Sequence, residues 1–157
     1  MPNKEISLRK MRWMLLLLGL FKIPMVGFVR PKLLLVDDTT VKVRIRLRRK
    51  TRNHLQSMYF GALAVGADIA GGIHAFYFAE LSGSKVSFAF KGMHAEFIQR
   101  AESDVIFVNN EGELVRNAIL KSKSTGERVN ESINVSAYNL KNEVVAKFQM
   151  IVSVKVK

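Results

Sequence analysis

The stretch 58-MYFGALAVGADIAGGIHAFYFAEL-81 decides how the chain is read. It is long enough for about six turns of one helix. Its only ionisable side chains besides Tyr59 and Tyr77 are Asp68, His74 and Glu80. A helix that is apolar on every side is buried on every side. Gly61, Gly66, Gly71 and Gly72 crowd it with small residues. Each interior glycine costs about 1 kcal/mol relative to alanine. That cost implies a close approach of other backbone, as when a sheet wraps tightly around the helix. A transmembrane reading fails on context, because strand-like segments flank the stretch and Asp68 sits near its centre.

Beyond this segment the pattern changes to period two. Lys85 to Lys91 alternates, with Val86, Phe88 and Phe90 on one side, and Gly92 marks a bulge or bend before a second strand from His94 to Arg100. Asp104 to Val108 reads as a strand, and Asn109 to Gly112 as a turn. Glu113 to Lys123 has helical spacing at Leu114, Ala118 and Leu120, with a strand as the open alternative. Arg128 to Tyr138 alternates, and Lys141-Asn142 turns the chain into Val144 to Val156, the most secure strand pair.

Upstream, Thr39 to Arg49 places Val41, Val43, Ile45 and Leu47 on one face and Lys42, Arg44, Arg46 and Arg48 on the other. That is a strand with one buried and one wet face. Leu33 to Val36 is a short strand, and Glu5 to Phe21 a helix with Asn3 or Ser7 as its N-cap. Pro24 and Pro31 punctuate the connection. The order of elements is that of an α+β domain, with a curved antiparallel sheet around a long central helix. Residues 1–32 form an N-terminal amphipathic helix and connection, and residues 33–157 the domain proper.

Composition narrows the function classes. The chain has 157 residues, 48% apolar and 24% charged, which suits one globular domain. It has no cysteine, so disulfides, thiolate metal sites and a thiol nucleophile are excluded. This fits a reducing compartment, and a cytoplasmic location is the expectation. A net charge of +12 favours anionic partners such as nucleic acid, acidic lipid or coenzyme A. No aromatic residues interleave the basic row from Lys42 to Arg49, which argues against a base-stacking platform and against nucleic acid as the partner. The apolar run Trp13 to Phe21 lacks the small cleavage-site residues of a signal peptide. Arg12 and Lys22 bracket it too tightly for a bilayer span. It reads as a helix packed on the domain, with contact to a membrane surface as the rival.

Familiar phosphate, zinc and serine-hydrolase motifs are missing. His54, His74 and His94 share no ligand spacing, so no metal site is expected. Asp68 is the group that stands out. A carboxylate in apolar surroundings has a raised pKa unless donors reach it, which makes it a candidate base or nucleophile. The plainer reading is a structural carboxylate bonded to a neighbouring strand.

The stretch Asn53-His54-Leu55-Gln56-Ser57-Met58-Tyr59-Phe60-Gly61-Ala62, together with Asp68, resembles the hot-dog thioesterases, in particular the phenylacetate-type branch and its thioesterase-like members. In that family an asparagine stands six residues before a His-Gly-Gly turn that opens the central helix, and the catalytic acid follows the histidine by nine. Asn53 and Asp68 occupy the asparagine and acid positions. Tyr59 and Phe60 replace the His and the first Gly, and Gly61 keeps the second. The resemblance covers roughly Leu33 to Val156. It implies a hot-dog fold and hydrolysis of an acyl-CoA or acyl-carrier-protein thioester. Coenzyme A would enter as part of the substrate, with no separate cofactor.

On this resemblance Asp68 activates water or attacks the carbonyl, Asn53 orients a water or the thioester, and the Phe60 and Gly61 amides hold the oxyanion. Tyr59 would border the acyl pocket, and Arg49, Lys50 and Arg52 would meet the nucleotide phosphates. A homodimer, or a dimer of such dimers, is implied, joined through the strand around Lys85 to Phe90. The alternative is a non-catalytic module that binds an acyl chain or coenzyme A.

Overall fold

The computed structural model describes residues 6–157, so Asn3 and Glu5, considered as helix start, lie outside the described residues. Helix α1 (Leu8–Leu17) begins at Ser7, whose hydroxyl accepts a hydrogen bond from the Lys10 N–H at 3.2 Å. It runs into a π-helical turn at Leu18–Lys22, and α2 (Pro24–Val29) doubles back beside that turn. Two glycines permit this crossing. A Cβ on Gly19 would lie 2.8 Å from the Gly27 nitrogen, and one on Gly27 would lie 2.4 Å from the Gly19 carbonyl oxygen.

The rest is a six-stranded antiparallel sheet around a central helix. The strands are β1 (Lys32–Val36), β2 (Val41–Ile45), β3 (Val86–Phe97), β4 (Val105–Asn109), β5 (Val129–Tyr138) and β6 (Val144–Val156). Their order across the sheet is β1-β2-β4-β5-β6-β3. Helix α3 (Phe60–Ser82) is the continuous helix expected for residues 58–81, and it ends where Gly83 adopts a left-handed φ of +63°. Helix α4 (Gly112–Thr125) packs on β5, β6 and α3 through Val115, Ala118 and Ile119. It resolves the segment the sequence left open in favour of helix. This α+β arrangement is the hot-dog fold.

Inward-facing residues of the strands close on α3. Val41, Val43, Ile45, Val105, Phe107, Ile133, Met150 and Val152 are fully buried. Each large apolar side chain so buried contributes about 1.5–3 kcal/mol. The glycines of α3 have a different cause from the expected backbone approach. Aromatic rings press on them: Phe107 lies over Gly66, Phe90 over Gly71, and Phe88 over Gly72.

Two strands differ from their sequence reading. β2 stops at Ile45 instead of reaching Arg49, because buried Thr51 turns the chain there. Its hydroxyl donates to the Arg46 carbonyl at 2.7 Å and accepts from the Arg48 N–H at 3.0 Å. The two strands expected on either side of Gly92 are one. β3 pairs with β6 throughout, with a bulge between Phe90 and Gly92. Phe88 and Phe90 before the bulge, and Met93 and Phe97 after it, stand opposite inward-facing residues of β6 and so face the helix.

The two sheet edges are unequal. On β1 the guanidinium of Arg12, from α1, donates to the Leu33 carbonyl at 2.7 Å. The outer edge of β3 has no hydrogen-bonded neighbour among the described residues.

Candidate active site at the start of the central helix

The chain between β2 and α3 is a stitched loop. Asn53 organises it: its side-chain carbonyl accepts from the Leu55 N–H at 2.9 Å, and from the Ser57 N–H and hydroxyl at 3.2 Å each. That oxygen is therefore committed to the turn, and only the Asn53 amide nitrogen is left to donate outward. The Met58 N–H donates to the Ala101 carbonyl and the Tyr59 N–H to the Thr51 carbonyl, both at 2.8 Å. The second of these bonds ties the start of α3 to the basic turn at residues 48–52, and the first ties it to the connection between β3 and β4.

Helix α3 opens at Phe60 without a side-chain cap, since Tyr59 occupies the cap position. The first bond into the helix runs from the Leu63 N–H to the Tyr59 carbonyl. The N–H groups of Phe60 and Gly61 thus have no partner among the described residues. They lie at the positive end of the helix dipole. The ring of Tyr59 lies over Gly61, 2.3 Å from where a Cβ there would stand, and packs on Phe60 at 4.7 Å between centroids. Phe60 in turn meets Phe97 of β3 edge-on at 6.3 Å. Phe60 and Phe97 are 59% and 50% exposed, so an aromatic wall stands open between the helix start and the bare edge strand.

Asp68 lies on the same side of α3. Phe60, Gly61, Ala64, Val65 and Asp68 form a stripe that the sheet leaves partly uncovered, whereas the second half of the helix is largely enclosed. The helix is therefore not buried on all sides, as its composition implied. Asp68 borders a shallow cleft of about 500 Å³ with Val65, Phe90, Lys91, Gly92 and Met93. It makes no hydrogen bond or ion pair among the described residues. Burial pushes its carboxyl above the ordinary range. Eight residues of helix separate it from Phe60, about 12 Å along the axis. One chain therefore does not bring the carboxylate and the helix-start amides onto one reacting atom.

The remaining expected residues gather at the loop. Arg49, Lys50 and Arg52 are exposed. Lys50 holds its ammonium 5.2 Å from the centre of the Phe28 ring, and Arg52 pairs by a β-bridge with Met58 beside the helix start. Phe97 and Met93 were missed by sequence reading, because only the pairing of β3 with β6 brings them to this place.

A second cleft, about 580 Å³, lies at the other end of α3 between Asp37, Asp38, Tyr77 and Arg116. It is larger, yet its acids are committed. Asp37 accepts from the Thr39 and Thr40 N–H groups, and Asp38 accepts from the Tyr77 hydroxyl at 3.0 Å and faces Arg116 at 3.8 Å. His74 nearby is fully buried and bonded to the Asp37 carbonyl at 3.0 Å. Burial holds its pKa below the usual histidine value, although that hydrogen bond opposes the shift. It is a neutral core residue. Among the described residues no group of three His, Asp or Glu side chains is placed to hold a metal ion.

A family model described as a domain of unknown function, DUF4442, matches residues 11–154. No curated protein sequence matches the chain. Among solved structures, a Pseudomonas aeruginosa protein described as a probable thioesterase is 19% identical with a TM-score of 0.78, over 99% of each chain. A putative thioesterase from Shewanella oneidensis is 13% identical with a TM-score of 0.80, over 94% of this chain and 99% of that one. A Haemophilus influenzae thioesterase is 9% identical with a TM-score of 0.70, over 98% and 94%. These likenesses are of fold.

Proposed function

We propose that this chain, which belongs to the DUF4442 family, hydrolyses the thioester of an acyl-CoA or acyl-carrier protein, in a site shared by two copies. The observation that carries the reading is Asp68: an unpartnered, half-buried carboxylate on the open stripe of α3, beside an unpaired edge strand. A carboxyl raised by burial is a stronger base than one in water. The thioesterases of like fold support the same chemistry.

Two-fold pairing of β3 with the same strand of a second copy would cover the bare edge. It would bring Asp68 of one subunit toward the Phe60 start of the other. Asp68 takes a proton from water as the water oxygen adds to the thioester carbon. The oxyanion so formed accepts from the Phe60 and Gly61 N–H groups. The C–S bond then breaks, and the thiolate leaves with a proton returned from Asp68. Asn53 can serve only as a donor here, through its free amide nitrogen. Arg49, Lys50 and Arg52 border the helix start, where the nucleotide phosphates would pass.

One observation favours the alternative of a non-catalytic acyl- or CoA-binding module. The Tyr59 ring crowds Gly61, at the amides the oxyanion would need. A panel of acyl-CoA hydrolysis assays on the wild type and Asp68→Asn separates the two. Hydrolysis reduced at least about a hundredfold in kcat by Asp68→Asn supports the enzyme. Hydrolysis untouched by the substitution, or no thioester cleaved by the wild type, leaves the binding module.

A further inference from the structure

The N-terminal helical hairpin carries more apolar surface than its packing uses. Helix α1 has one stripe turned inward, with Met11 and Leu15 buried against the domain. A second stripe points away from it. Trp13, Leu16, Leu17 and Leu20 recur at helical spacing, and Phe21 follows, all exposed. Trp13 is 61% exposed and Phe21 76%. Met25 and Phe28 of α2 are exposed as well. The close crossing of Gly19 and Gly27 packs the two helical segments against each other.

Charge is concentrated in the same part of the chain. Residues 6–58 hold thirteen Lys and Arg against Asp37 and Asp38, a net charge of +11 out of the chain's +12. No acid occurs from Ile6 to Val36. Arg9 on α1, Lys22 at the end of the π-helical turn and Arg30 at the end of α2 are exposed, and Lys50 sits over Phe28.

We propose that this face docks on the surface of an anionic lipid bilayer, with the outward stripe of α1 and the tip of α2 entering the headgroup boundary. The basic residues of the same segment would meet lipid phosphates. Apolar insertion together with a cationic margin is the chemistry of interfacial helices. A second copy of the chain is a poorer occupant, since two-fold pairing of this face would set one basic segment against another. Nucleic acid would gain nothing from exposed Leu16, Leu20 and Met25. Among the described residues the one helix long and apolar enough to cross a membrane is α3, which is mostly enclosed by the sheet, so the contact proposed is with the surface. This inference stands independently of the role assigned to Asp68.

Trp13 is the only tryptophan, so the full-length protein carries its own probe. Vesicles of phosphatidylglycerol should shift its fluorescence to the blue and carry the protein down on sedimentation. Phosphatidylcholine vesicles should do neither, and about 0.5 M salt should weaken binding about tenfold or more. The double variant Leu20→Ser/Phe21→Ser, at two exposed positions, should stay folded by circular dichroism and bind anionic vesicles at least about tenfold less tightly. The proposal fails if Trp13 emission does not respond to anionic vesicles. It fails equally if that emission is already blue-shifted without lipid because a second copy covers the face, if both lipids bind alike, or if the folded double variant binds undiminished.

Discussion

The ring of Phe107 rests directly on the backbone of Gly66: a Cβ built there would lie 2.2 Å from the ring's outermost carbon. Phe107 is fully buried on β4 and meets Phe148 at 6.4 Å between centroids, so it has no room to yield. Gly66→Ala should therefore destabilise the fold despite the better helix propensity of alanine. Overpacking costs about 1–3 kcal/mol and propensity returns at most about 1. Gly61→Ala is the internal control. Its obstacle is the exposed Tyr59 ring, which can swing aside, so it should be nearly neutral or stabilising. Urea denaturation of the two variants checks the contrast.

Asp68 lowers stability in the lone chain at neutral pH. Its carboxyl is raised by burial, so the folded state holds the proton where the unfolded state has released it. Stability contributed by the neutral form is fully present below the unfolded value of 3.8 and is lost as pH rises through the folded value. Asp68→Asn should match the wild type in acid and exceed it above that window by on the order of 1 kcal/mol. Parallel stability curves at all pH values would contradict this.

A shared site predicts rescue between two inactive variants. Phe60→Pro removes the first helix amide at the position that best tolerates proline, and Tyr59 before it is already extended at φ −62°, ψ 136°. Mixed and refolded with Asp68→Asn, half the dimers are hybrids, each with one intact site. About a quarter of wild-type activity should return. Failure of rescue in verified hybrids would place both groups in one subunit.

Charge reversal tests the basic turn. Arg49→Glu with Arg52→Glu should raise KM for an acyl-CoA about tenfold or more and remove its dependence on salt. Hydrolysis of a thioester without the nucleotide should stay similar. Equal loss on both substrates would point away from phosphate recognition.

How legible these features were depends on where the information lies. Helix α3 and the β5–β6 hairpin follow from local periodicity, and the structure contains both. The end of β2 was hidden, because Thr51 closes the turn with bonds to residues upstream of it. Composition marked α3 as buried all round, yet it cannot say that a single chain's sheet stops short of Phe60, Val65 and Asp68. The same limit applies to the site. Asp68 and the helix start are read along the sequence, while Phe97 and Met93 arrive from a strand placed by its pairing with β6. The run Trp13 to Phe21 announced an amphipathic helix, and only packing on the domain revealed that it has two apolar stripes.

The bulge in β3 also bears on changes in chain length. Removing one residue from a strand normally exchanges its two faces beyond the cut. A single deletion ahead of the bulge, between Val86 and Phe90, would send Met93 and Phe97 to the outer surface and strip the aromatic wall from the helix start. The bulge itself is the exception, whether Lys91 or Gly92 is the residue lost. Gly92 already stands opposite Ile151, and Phe90 opposite the next residue, Val152. Loss of Lys91 would join these two pairs into a regular ladder and leave every other side chain on its present face. The strand can thus shed a residue there without inverting its pattern, at the cost of the local twist beside Asp68. An insertion or deletion scan along β3 would find tolerance confined to that one point.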